Sequence, residues 1–164
     1  HWVVPAVALG WAVLGGCRGD RGAEAVGGLA FELLQTVPQR TMNESFSAFI
    51  RVEEIQRLAR DTSLVKDRMT RARMARLTAE EWTAVLMQDR TAVLERGAVA
   101  GVRWELMAFD GFAYELKEVE GISGLDGQLL FSSEGRPFSV HVQALWDGET
   151  YRLSAIDELR ALGD

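Results

Sequence analysis

Apolar residues run without a charge from Trp2 to Gly16, recur at helical spacing between about Ala23 and Gly97, and alternate with polar residues from Val102 onward. These regimes divide the chain into an apolar signal or membrane anchor over 1–16, a charged, Gly-rich tether over 17–28 and a single domain over 29–164. A first short helix is expected from about Ala23 to Thr36, stopped by Pro38. Thr41-Met42-Asn43-Glu44 has the form of a capping box, in which a threonine oxygen and a glutamate each satisfy a free N–H at a helix start. The helix it opens should reach about Arg60, because Phe49, Val52, Ile55 and Ala59 share one stripe. Asp61-Thr62-Ser63 breaks the pattern, and a third helix is predicted over Leu64 to Leu77. Thr78-Ala79-Glu80-Glu81 is a second capping box, opening a fourth helix that should end near Gly97.

The alternating part predicts hairpins. A three-residue loop at Phe109-Asp110-Gly111 sets Leu106 against Tyr114 and Trp104 against Leu116. A loop at Asp147-Gly148 sets Ala144 against Tyr151, Val142 against Leu153 and Val140 against Ala155, leaving Gln143 opposite Arg152 and His141 opposite Ser154 on a polar face. With a strand near Gln128 to Ser132, the expected fold is α+β: an N-terminal apolar membrane helix, then about four helices on a curved antiparallel sheet of about five strands. In order and size the domain resembles the nuclear transport factor two-like, cone-shaped fold. That resemblance implies a cavity, with an Asp or His inside it where such domains are enzymes.

At the N-terminus, Leu14-Gly15-Gly16-Cys17 resembles the lipobox of bacterial lipoproteins. The resemblance implies removal of the segment before Cys17 and attachment of lipid to that cysteine. The alternative is an intact anchor helix; sixteen helical residues reach about 24 Å, short of the roughly 30 Å hydrocarbon core. Both alternatives tether the domain to a bacterial membrane on its periplasmic side. Asn43-Glu44-Ser45 matches a glycosylation acceptor, but its position at a helix start favours a capping role.

Composition narrows the chemistry. The 164 residues are 48% hydrophobic and 26% charged with net charge −6, a globular balance that gives no reason to expect nucleic acid. One cysteine cannot close an internal disulfide, and two histidines cannot build a Cys/His metal cage, so neither metal nor cofactor is expected. His141 is the only histidine inside the domain, and no Ser-His-Asp set accompanies it. Asp110, Asp126 and Asp147 each precede glycine and read as turn formers.

Asp89 is the weak catalytic candidate. It shares a helical stripe with Trp82, Val85, Leu86 and Val93, where burial would raise its pKa; the alternative is an ion pair with an arginine such as Arg96. Residues 51–76 hold eight basic and four acidic side chains, whereas residues 103–164 hold five basic and twelve acidic ones. Candidate partner-binding residues are Arg68, Arg71, Arg73 and Arg76 on the third helix, and His141, Gln143 and Arg152 on the sheet. The leading expectation is a non-enzymatic, membrane-tethered envelope protein, an accessory subunit with a protein partner in a membrane complex. The alternative is a lipoprotein whose cone-fold domain binds or transforms a small apolar ligand, with Asp89 near the cavity.

Overall fold

The structure, a computed structural model, describes residues 22–163. Five helices precede a sheet: α1 (Ala23–Gln35), α2 (Met42–Phe46), α3 (Val52–Leu58), α4 (Arg68–Arg76) and α5 (Ala79–Ala100). The strands are β1 (Met107–Val119), β2 (Ile122–Ser133), β3 (Arg136–Trp146) and β4 (Tyr151–Ala161), one antiparallel meander in the order β1-β2-β3-β4. The α+β architecture stands, and three parts of the expected fold are corrected. Among the described residues the sheet has four long strands rather than about five short ones, and the helices number five rather than about four. Among the described residues no helix is long and apolar enough to cross a membrane. The apolar run Trp2 to Gly16 and Cys17 lie outside the described residues.

Local chemistry explains where the helices start. Glu44 N–H donates to Thr41 Oγ1 (3.2 Å) and Thr41 N–H to Glu44 Oε2 (2.9 Å), closing the first capping box. Thr78 and Glu81 close the second in the same way. The helix expected to run on to Arg60 breaks after Phe46 because the backbone at Ile50 is recruited elsewhere. Its N–H donates to the Leu153 carbonyl on β4 (2.8 Å), and its carbonyl accepts from Trp82 Nε1 on α5 (2.9 Å). The next expected helix starts late, at Arg68, because Val65 bridges Ile122 and Lys66 N–H donates to the Gly121 carbonyl (2.9 Å). Asp67 then caps α4 by accepting from Thr70 N–H (2.8 Å).

Two of the three turns fall in places the sequence did not suggest. Both tight turns are Glu-Gly pairs, Glu120-Gly121 and Glu134-Gly135, with all four residues at positive φ, the twist a two-residue hairpin needs. Asp110-Gly111 is a bulge inside β1, not a loop, so Trp104 and Leu116 do not pair. The last hairpin closes with four residues, its Asp147 carboxylate accepting from Glu149 N–H and Thr150 N–H. Trp146 therefore pairs Tyr151, Ala144 pairs Leu153 and Val142 pairs Ile156. A bulge opposite Gln143 and Ala144 then sets His141 against Asp157 instead of Ser154.

One face of the sheet carries Leu125, Leu129, Phe131, Val140, Val142, Leu153 and Leu159, all buried, against the stripe of α1 formed by Ala23, Val26, Ala30, Leu33 and Leu34. Gly27 lets α1 close on β1: a Cβ there would stand 2.4 Å from Phe112 Cγ. A smaller cluster of Ile50, Ile55, Leu58, Val65 and Met74 ties α3 and α4 to Ile122 and Leu145 at one end. Helix α5 packs along β4, whose outer edge is further closed by Arg96 Nε donating to the Leu159 carbonyl (3.3 Å).

Candidate functional site

Between α1, α2, α5 and β4 the apolar walls do not meet. Leu33, Leu34, Phe46, Phe49, Leu86, Val93 and Ile156 line a cleft whose water-admitting void is about 40 Å³, within about 480 Å³ of unfilled space that includes the open mouth. The separation follows from the break after α2, which turns Phe46 and Phe49 towards the side of α5 while Ile50 holds to β4.

Three polar side chains enter this apolar space: Ser45 from α2, and Asp89 and Arg90 from α5. Ser45 is 6% exposed and its Oγ has no hydrogen-bond partner; Arg90 Nε is buried and equally unpartnered. These are the only such buried side-chain atoms among the described residues, and each ordinarily costs about 1–3 kcal/mol. Asp89 is half-buried and forms no ion pair with a described residue; Arg96, its expected partner, is turned to the Leu159 carbonyl. Burial pushes the Asp89 carboxyl above its ordinary pKa, and the charge of Asp157 adds to the rise.

Asp157 belongs to a chain of charges that crosses the polar face of the sheet. His141 Nδ1 lies 2.6 Å from Asp157 Oδ1, and His141 Nε2 lies 2.5 Å from Asp126 Oδ1. Lys117 Nζ reaches Asp126 Oδ2 at 2.7 Å. The hydrogen bond to Asp157 is the largest cause holding the proton on His141; burial opposes it, Asp126 adds to it, and the imidazole is pushed up to about 9. Burial alone would raise the Asp126 carboxyl, but hydrogen bonds from Lys117 and His141 outweigh it and hold it below its ordinary value. At neutral pH both imidazole nitrogens therefore donate, and His141 is a doubly paired cation rather than a general base. Asp126, expected in a turn, sits in the middle of β2.

The other candidates named from sequence do not assemble into one surface. Arg71 NH1 donates to the Val65 and Lys66 carbonyls (2.9 Å each), Arg73 pairs with Glu120, and Arg152 holds Glu54 through both nitrogens (2.6 and 3.2 Å). Arg68 and Arg76 make no ion pair among the described residues, and Gln143 lies on the polar face opposite Ala155. Cys17 lies outside the described residues. Sequence reasoning reached Asp89 but missed Ser45 and Arg90. The detectable signal for Arg90 was its place beside Asp89; Ser45 carried none, because its burial depends on where the chain breaks after α2.

Comparison with known protein families, characterised proteins and solved structures finds no match.

Proposed function

We propose that this domain is a binding module whose cleft takes a small, largely apolar molecule with one polar end. The observation that carries the reading is that Ser45 and Arg90, which hold the two unpartnered buried polar atoms found among the described residues, line one apolar cleft beside an unpaired Asp89. Ligand sites combine apolar walls with a few convergent polar groups in this way. The void is narrow, which favours a slender chain over a bulky ring system. Among the described residues no histidine, cysteine or lysine lines the cleft, and Asp89 is assigned to recognition of the ligand's polar end. The cavity is also what the cone-fold resemblance would supply. Lipid on Cys17, implied by the lipobox-like residues, would hold this module at a membrane on the periplasmic side, and intact mass of the native chain would reveal it. An interaction subunit would need a docking surface, and the large exposed apolar side chains are spread from Met69 on α4 through Val99 on α5 to Val119 at the far end of β1.

The test is a methyl NMR titration of the full chain with 1-octanol. Shifts should concentrate on Leu34, Leu86, Val93 and Ile156, and Leu94→Trp, which places an indole at the lining, should reduce them. Shifts spread over the surface, or none at the cleft, would refute the binding role.

A further inference from the structure

Resting on that reading of the cleft, we infer that the polar end of the ligand is a carboxylate, seated on Arg90 and Ser45 and sharing one proton with Asp89. The guanidinium of Arg90 is permanently charged, and its Nε–H, buried in the wall of the cleft, has no acceptor. Ser45, more than nine-tenths buried, adds a second unpartnered group, its hydroxyl, to the same wall. Two unmet donors, one carried on a fixed cation, describe the complement of an anion. An alcohol would leave the charge of Arg90 uncompensated, and an ammonium would add a second cation beside it. A phosphate monoester would bring up to two negative charges against one arginine, with Asp89 and Asp157 close by.

Asp89 is what makes a carboxylate distinctive. Two ionised carboxyl groups in one apolar cleft repel each other, so binding draws one proton from solvent and the pair shares it. The surroundings of Asp89 already favour this. From α1 it faces Leu33 and Leu34, and from α2 Ser45 and Phe46; β4 brings Ile156, with the charged Asp157 behind it paired to His141 on β3. On its own helix, Arg90 is the adjacent cation, and Arg96 is engaged by the Leu159 carbonyl.

The experiment compares octanoate, 1-octanol and octylamine on the full chain by calorimetry, at about pH 6 and about pH 8, in buffers of different ionisation heat. Octanoate should bind about tenfold or more tightly than 1-octanol, a preference of the size a charge-assisted hydrogen bond supplies. Its binding should take up a proton and weaken as pH rises. Arg90→Gln should bring octanoate down to the level of 1-octanol; Arg90→Lys, which keeps the charge and removes Nε, is the second variant should the first fail to fold. Asp89→Asn should bind octanoate with no proton uptake and no pH dependence. If 1-octanol binds as well as octanoate, or octylamine binds best, the carboxylate inference falls while the cleft reading stands. Octanoate preferred without proton uptake overturns the shared proton. If none of the three perturbs the cleft at millimolar concentration, both readings fall together.

Discussion

Replacing His141 by glutamine should cost stability in a pH-dependent way. In the folded protein the imidazole is pushed from 6.5 up to about 9 by its two carboxylate partners. One pKa unit corresponds to about 1.4 kcal/mol, so the shift is equivalent to ~3 kcal/mol. The aspartates are about a third exposed, 30% for Asp157 and 27% for Asp126, and solvent screening reduces the expected effect to about 1–2 kcal/mol. The folded pKa is raised above the unfolded one, so this stabilisation is fully present below the unfolded value of 6.5 and is lost as pH rises through about 9. Urea denaturation followed by circular dichroism should show wild type ahead of His141→Gln near pH 6, with the gap closing towards pH 10. The chain has two histidines, so a ring-proton NMR titration can follow His141 directly. A gap that stays constant or widens with pH, or a ring that titrates near 6.5, would refute the doubly paired cation.

Other positions give expectations of different sign. Gly27→Ala places a methyl 2.4–2.8 Å from three atoms of Phe112, whose ring also stacks on Tyr114; overpacking of this kind should destabilise by about 2 kcal/mol in thermal or urea unfolding. Ser45→Ala removes a buried hydroxyl that has no partner and should stabilise the ligand-free protein by about 1 kcal/mol. Thr78→Ala opens the capping box of α5 and should cost about 1 kcal/mol, read in the same assay. The Asp89 pKa is raised, so the folded state loses stability as pH rises through that value; Asp89→Asn should remove this loss, stabilising at neutral pH and not at low pH.

Local signals carried much of the helical half. Two capping boxes, the Pro38 stop after α1 and the alternation of β3 are readable because each depends on residues a few positions apart. The hairpins were misread for an identifiable reason. Asp-Gly is the familiar turn pair, yet here Asp110-Gly111 makes a bulge and Asp126-Gly127 runs through β2, where the absent Gly127 side chain makes room for Phe112. Turns fell instead to Glu120-Gly121 and Glu134-Gly135, where glutamate accepts a left-handed backbone that local preference disfavours. Gly97 likewise does not end α5; it admits the Trp104 ring, and Gly101 provides the left-handed stop. At Gly127 and Gly97 a tertiary contact overrides the local rule. At the site the same division holds: the stripe pointed to Asp89, but the break that buries Ser45 is set by Ile50 reaching β4, a pairing across 103 positions.

Elsewhere the fold leaves buried polar groups paired. Ser133 Oγ accepts from Arg103 N–H and donates to the Arg103 carbonyl, and Thr70 Oγ1 donates to Asp67. The Ile50 peptide, the indole of Trp82 and the β4 carbonyls at Leu153 and Leu159 are all matched as well. A chain that matches these groups yet leaves Ser45 Oγ and Arg90 Nε unmatched in the cleft wall has retained a cost that alanine at position 45 would partly remove. That cost persists where a ligand supplies the missing acceptor. Asp89 fits the same account. The adjacent charge chain from Asp157 to Lys117 is internally neutralised by His141, which stays cationic up to about pH 9. Across the neutral range the sheet behind Asp89 therefore keeps a constant charge.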